Sequence, residues 1–138
     1  VFSLSGDVLL CLISKCVRFG LYIVFQRHLI PATMIKYLCK LTDSLNNNTN
    51  KYMIQRLFDI WTRNKAIIKA ANHGSIYNMY DIQHEKAGSY YQNHFWYTYP
   101  VDIVPADDNN EYTCHIACSE QIDVNDIKHF TAKQIHNL

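Results

Sequence analysis

Residues 89–104, SYYQNHFWYTYPVDIV, carry six aromatic rings between Tyr90 and Tyr99. Aromatic and β-branched side chains at this density suit a pleated surface with at least one face out of water. The run therefore predicts a strand that must be packed against something. Alternation can place Tyr91, Phe95, Tyr97 and Tyr99 on one face and Tyr90 and Trp96 on the other. Pro100 inside the run implies a bulge, a break or an edge position, because proline gives no N–H to a sheet ladder. The cluster Pro105-Ala106-Asp107-Asp108-Asn109-Asn110 is a turn signal, and Glu111–Cys118 alternates as a second strand. The pair is expected to form a β-hairpin.

The rest of the chain reads as helical. In residues 8–25, Leu9, Leu12, Ile13, Cys16, Phe19 and Ile23 recur at helical spacing after a start signal in Ser5-Gly6-Asp7. Gly20 marks a kink or a close crossing in this segment. A second helix is expected from Pro31, with Met34, Leu38, Leu41 and Leu45 as its apolar line. A third is expected from about Lys51 to Ala71, with Met53/Ile54, Leu57/Phe58, Trp61 and Ile67/Ile68 facing in, stopped by Asn72-His73-Gly74. A short fourth helix over 76–86 and a closing helix over about 125–137 complete the expectation. The expected fold class is α+β: mainly helical, about four N-terminal helices, then a C-terminal β-hairpin and a closing helix, as one domain over residues 1–138.

Length and composition bound the function classes. A chain of 138 residues, 49% hydrophobic, with only four glycines and three prolines, is neither disordered nor low in complexity. No glycine-rich phosphate loop is present, which removes the sequence basis for a dinucleotide-binding domain, a P-loop NTPase or a kinase. Residues 8–25 are apolar enough to suggest a membrane span, but Lys15 and Arg18 sit at their centre, each costing about 2.5–3.5 kcal/mol there. A membrane surface is not the expected partner. The five cysteines, at 11, 16, 39, 114 and 118, are odd in number and follow no disulfide framework, so a reduced, intracellular protein of cytoplasm or nucleus is expected. Ile, Asn, Tyr and Lys, whose codons are A/T-rich, supply 46 of the 138 residues. That bias points to an AT-rich genome, and a viral source is the expectation. The opening Val1 is what a processed product or an excised segment would show.

The net charge of +1 conceals a division. Residues 1–74 contain ten Lys/Arg and three Asp/Glu, whereas residues 75–138 contain three Lys/Arg and nine Asp/Glu, so the halves stand near +7 and −6. The basic residues Lys51, Arg56, Arg63, Lys65 and Lys69 cluster on the third expected helix and are the candidates for nucleic-acid binding. The plainer reading is a solvated helix face, and a third is charge-complementary contact within one molecule or between copies.

Motifs for chemistry are sparse. Cys114-His115-Ile116-Ala117-Cys118 is the most metal-like cluster, but cysteines four apart on a strand stand about 13 Å apart and favour two buried packing groups. Asp108-Asn109-Asn110-Glu111-Tyr112-Thr113-Cys114 resembles the Asp…Tyr-x-Cys segment of an immunoglobulin F strand over those seven residues alone, and Cys39 lies 75 residues upstream among expected helices. His73-Gly74-Ser75 and His129-Phe130-Thr131 resemble the paired motifs of two-histidine phosphoesterases, though that family places them on neighbouring strands with an apolar residue before the hydroxyl. No cofactor, metal or catalytic residue is assigned. The leading expectation is a non-enzymatic module for protein interaction or assembly, binding a protein partner or itself through Tyr90, Trp96, Tyr97 and Tyr99, with Asp107 and Asp108 adding charge. A nucleic-acid-binding accessory protein stands second and a small enzyme third.

Overall fold

The computed structural model describes residues 1–5, 8–15, 18–25, 51–71 (side chains from 55), 79, 81–103 and 112–130. Seven strands and one helix occur among them: β1 (Phe2–Ser5), β2 (Val8–Cys11), β3 (Phe19–Phe25), α1 (Lys51–Ala71), β4 (Gln83–His84), β5 (Gly88–Tyr91), β6 (His94–Pro100) and β7 (Tyr112–Cys118). β1 and β2 form a separate hairpin, and the other five strands form one antiparallel sheet in the order β3-β7-β6-β5-β4. Among the described residues strands outweigh the one helix, which overturns the expectation of a mainly helical chain.

The expected first helix is replaced by β2 and β3. The run Phe19–Phe25 is covered on both faces of its strand, by α1 on one side and the β1–β2 hairpin on the other, with Gly20, Leu21 and Ile23 buried and the rest half-buried. A strand covered twice has no polar face, so it shows no alternation, and a dense apolar run fits a helical template equally well. The third expected helix matches α1, with Leu57, Phe58, Trp61, Ile67 and Ile68 buried. The second expected helix lies outside the described residues. The fourth gives way in part to β4; the described part of the closing helix, to residue 130, holds only a 3-10 turn at Val124–Asp126 with Phe130 exposed beyond it, and 131–137 lie outside the described residues.

The expected hairpin exists as β6 and β7, paired from Tyr97↔Cys118 to Pro100↔His115. The aromatic run is itself folded in two. Gln92 and Asn93 both take positive φ, 51° and 61°, the geometry of a two-residue turn whose twist matches the flanking strands. It pairs Tyr91 with His94 and Tyr90 with Phe95. Pro100 ends β6, and the ladder continues by Val101 N–H donating to the Cys114 carbonyl.

The sheet separates two apolar layers. On the inner face, α1 packs Leu57, Phe58, Trp61, Ala66, Ile67 and Ala70 against Trp96, Tyr91 and Ala117. On the outer face, Leu21, Ile23, Cys114 and Ile116 meet the hairpin's Val8 and Leu10, with Tyr99, Ile122 and Ile127 alongside. Each fully buried aliphatic or phenyl side chain in such layers contributes about 1.5–3 kcal/mol. Both sheet edges are blunted. β4 is only two residues long, and β3 is closed by side chains: Ser3 Oγ accepts from Ile23 N–H at 3.0 Å and Ser5 Oγ from Phe25 N–H at 2.7 Å. Residues two apart on β1 thus meet residues two apart on β3 in the same order, so a row of hydroxyls stands in for a strand ladder.

Candidate functional site

The turn at 92–93 decides which aromatic rings reach the surface. Tyr90, Phe95, Tyr97 and Tyr99 share the outer face, and Tyr91 and Trp96 share the inner one. This corrects the expected grouping of Tyr90 with Trp96. Trp96 is 1% exposed; its indole N–H donates to the Tyr91 carbonyl at 3.2 Å, and the Arg18 guanidinium lies 5.1 Å from its ring centre. It belongs to the layer between sheet and helix. On the other face Tyr90 is 49% exposed, and edge-to-face contacts of 4.9 Å join Tyr90 to Phe95 and Phe95 to Tyr97. Tyr99 is drawn into the outer apolar layer, its hydroxyl accepting from Ile122 N–H at 2.9 Å. Asp107 and Asp108 lie outside the described residues.

The basic residues of α1 do not form one stripe. Arg56 and Arg63 are seven apart and share a flank, while Lys65 and Lys69 occupy the opposite flank. There the Lys65 ammonium lies 5.3 Å from the Trp61 ring centre and 5.8 Å from that of Tyr22, and Lys69 donates to the Phe2 carbonyl at 2.8 Å. Burial holds both ammonium groups below the usual lysine range. The side chain of Lys51 is not among those described.

A cleft that the sequence reading missed opens on the Arg56/Arg63 flank. It lies between α1 and the end of the sheet, where β6 runs past β5 to Pro100. Two adjoining cavities of about 420 and 310 Å³ share Arg63, Pro100 and His115 in their walls; Gln55 and Asp59 line the larger, and Lys86 the smaller. His115 faces α1 from β7 and is 7% exposed. Its Nδ1 lies 2.6 Å from Thr62 Oγ1, and Thr62 Oγ1 also lies 2.8 Å from the Phe58 carbonyl. With the single hydroxyl proton of Thr62 on the Phe58 carbonyl, which can only accept, His115 donates from Nδ1. The ring's other nitrogen, Nε2, then carries a lone pair and meets no hydrogen-bond partner among the described residues. Thr62 and Thr113 are both buried beside His115, and the Gln55 side-chain amide donates to Asp59 and to Thr113 at 3.2 Å each.

Burial, reinforced by the Arg63 charge, lowers His115 from 6.5 to about 4, so the imidazole is neutral at pH 7. The same two causes lower His84 to about 4, with its Nδ1 2.9 Å from Ser89 Oγ, although much of this residue faces solvent. Asp59 shifts upward, chiefly through burial and against the opposing pull of Gln55 and Arg63. A depressed histidine pKa means that the unfolded chain binds the proton between pH 6.5 and 4 while the folded chain does not. Stability from His115 is therefore complete above pH 6.5, falls as pH drops to 4, and is level below; the loss is up to about 3 kcal/mol. Asp59 works in the opposite sense, since its raised pKa removes stability as pH rises through it. Urea unfolding at pH 7 and pH 4.5 should show the loss, and His115→Asn should reduce it. An equal loss in that variant would exclude His115 as its source.

Cys114 and Cys118 are buried on the outer face of β7, and burial pushes the Cys114 thiol up to about 12. His129 is exposed in an irregular segment rather than the expected helix, and His73 lies outside the described residues. No family model matches the chain. No curated protein is similar to it either. The expected viral source gains no support from these comparisons. No helix among the described residues is long and apolar enough to cross a membrane.

Proposed function

We propose that this protein is a non-enzymatic interaction module that binds a protein partner or a second copy of itself through the outer face of β5 and β6. The observation that carries this reading is the ladder Tyr90–Phe95–Tyr97, three rings in successive contact with Tyr90 half exposed at its end. Tyrosine in such a setting offers a large, stiff contact area with a polar tip, the property that enriches it at interface centres. The charge division of the chain, near +7 and −6 in its two halves, favours a partner presenting one sign of charge or a head-to-tail second copy. The buried thiol of Cys114 and an odd cysteine count without a disulfide framework favour a reduced, intracellular setting.

The test is sedimentation velocity on the wild type and on Tyr90→Ala/Tyr97→Ala over a wide concentration range. Assembly should be concentration-dependent in the wild type and lost in the variant, with the far-UV spectrum unchanged. An equal degree of assembly in both would remove this face from consideration. Titration into labelled single- and double-stranded nucleic acid at two salt concentrations tests the competing use of α1. Binding that weakens with salt and depends on Arg56 would replace the interaction reading.

A further inference from the structure

We propose that the cleft at Arg63 and His115 is a binding site for a small hydroxy acid, with Arg63 holding the acid's anionic end and His115 Nε2 accepting a hydrogen bond from its hydroxyl. The site is centred on the helix-facing side of the sheet and meets the aromatic ladder only at Tyr97, which also lines the smaller cavity; the proposal goes beyond the interaction reading.

Three features of the cleft set the ligand chemistry. First, its cationic and amide groups come from two directions: Arg63, Arg56 and Gln55 from α1, and Lys86 from the segment before β5. A guanidinium offers paired N–H donors that match a carboxylate or phosphate edge. Second, His115 presents an acceptor. Its residue is more than nine-tenths buried, Thr62 occupies Nδ1, and the ring edge turned away from Thr62 carries the unpartnered Nε2 lone pair. An acceptor turned to the cleft in this way pairs with an O–H or N–H, which a simple dianion lacks. With a pKa of about 4, the ring remains an acceptor at neutral pH instead of becoming a second cation. Third, Asp59 stands in the same wall and repels a second negative group placed beside it. The site therefore suits a molecule with an anion at one end and a hydroxyl close to it. The two adjoining cavities, about 420 and 310 Å³, are of a size for small metabolites.

Thr62 is a positioning residue in this arrangement. By giving its own proton to the Phe58 carbonyl it fixes which nitrogen of His115 is protonated, and so which faces the cleft as an acceptor.

The probes are L-lactate, glycerol 3-phosphate and propionate, the last being lactate without its hydroxyl, titrated into ¹⁵N-labelled protein at pH 7. Nitrogen spectra of the free protein should show His115 neutral with its proton on Nδ1. Lactate should shift the His115 Nε2 resonance in a saturable way, and propionate should bind about tenfold or more weakly. Glycerol 3-phosphate in place of lactate would identify the anion as a phosphate ester, within the same chemistry. Arg63→Gln should weaken binding about tenfold or more, with Arg63→Lys recovering part of it. His115→Phe should abolish the preference for lactate over propionate. If either variant fails to fold by circular dichroism, the wild-type titration still decides. The proposal is overturned by an Nε2-protonated His115, by propionate binding as tightly as lactate, or by the absence of any shift at His115 with all three probes.

Discussion

Replacing Gly20 by alanine is expected to destabilise the protein by about 3 kcal/mol or more, the upper range for forcing an added carbon into a packed interior. Gly20 sits on β3 where the strand crosses α1. A Cβ there would overlap the Ala66 carbonyl oxygen and stand 2.6 Å from the Ala70 nitrogen. Both obstacles are helix backbone, which cannot swing aside as a side chain would. The helix would have to lift from β3, loosening the packing of Tyr22 and Val24 against the inner layer. Urea unfolding monitored by far-UV circular dichroism checks this. Because the clash is with backbone, Ala66→Gly in the same chain should not restore stability. A loss below about 1 kcal/mol, or a rescue by Ala66→Gly, would mean that strand and helix are not this close.

The second large effect is expected for Trp96→Ala, at about 3–5 kcal/mol, the range for removing a fully buried large aromatic side chain. The indole fills the inner layer at 1% exposure and donates to the Tyr91 carbonyl. It also stacks with Arg18, whose guanidinium donates in turn to the carbonyl of Ala71, the last residue of α1. One ring thus links β5, β6 and the end of the helix. Tyr90→Ala, on the neighbouring strand β5 but half exposed on the opposite face, is expected to cost about 1 kcal/mol or less. Measuring both by thermal and urea unfolding separates a packing residue from a surface one. Similar losses in the two variants would contradict the division of the run between faces.

That division shows why the aromatic segment was only half legible. Its strand character follows from residue type, and its pairing with 112–118 follows from the polar turn between them. The position of the tight turn does not, because Gln92-Asn93 lacks the glycine that announces a two-residue hairpin. A turn placed there reverses the chain, so that Tyr90 and Phe95 become cross-strand partners on one face. Counting alternation through the turn as one strand assigns Tyr90 to the wrong side. The basic helix shows a related limit. Its periodicity revealed α1 and its buried stripe, yet the packing neighbours on each flank decide whether a Lys or Arg faces water, a ring or a cleft.

The cleft was out of reach for a different reason. His115 and Thr62 are 53 residues apart, and nothing local distinguishes a histidine on a buried strand from one that packs. Its neutral state depends on burial and on Arg63, neither of which a strand carries in its own residues.

By itself the sequence determined composition, the charge division, the helix at 51–71 and the strand character of the aromatic run and of 112–118. Those properties are local: they depend on residue type and on spacing within one segment. The tertiary structure decided that residues 8–11 and 19–25 are strands. An apolar run takes whichever backbone form its covers require, and here α1 covers one face of β3 and a serine-bearing hairpin closes its edge. It also decided which aromatic rings remain in solvent and which polar groups meet across the layers, because both depend on register and packing between segments distant in the chain.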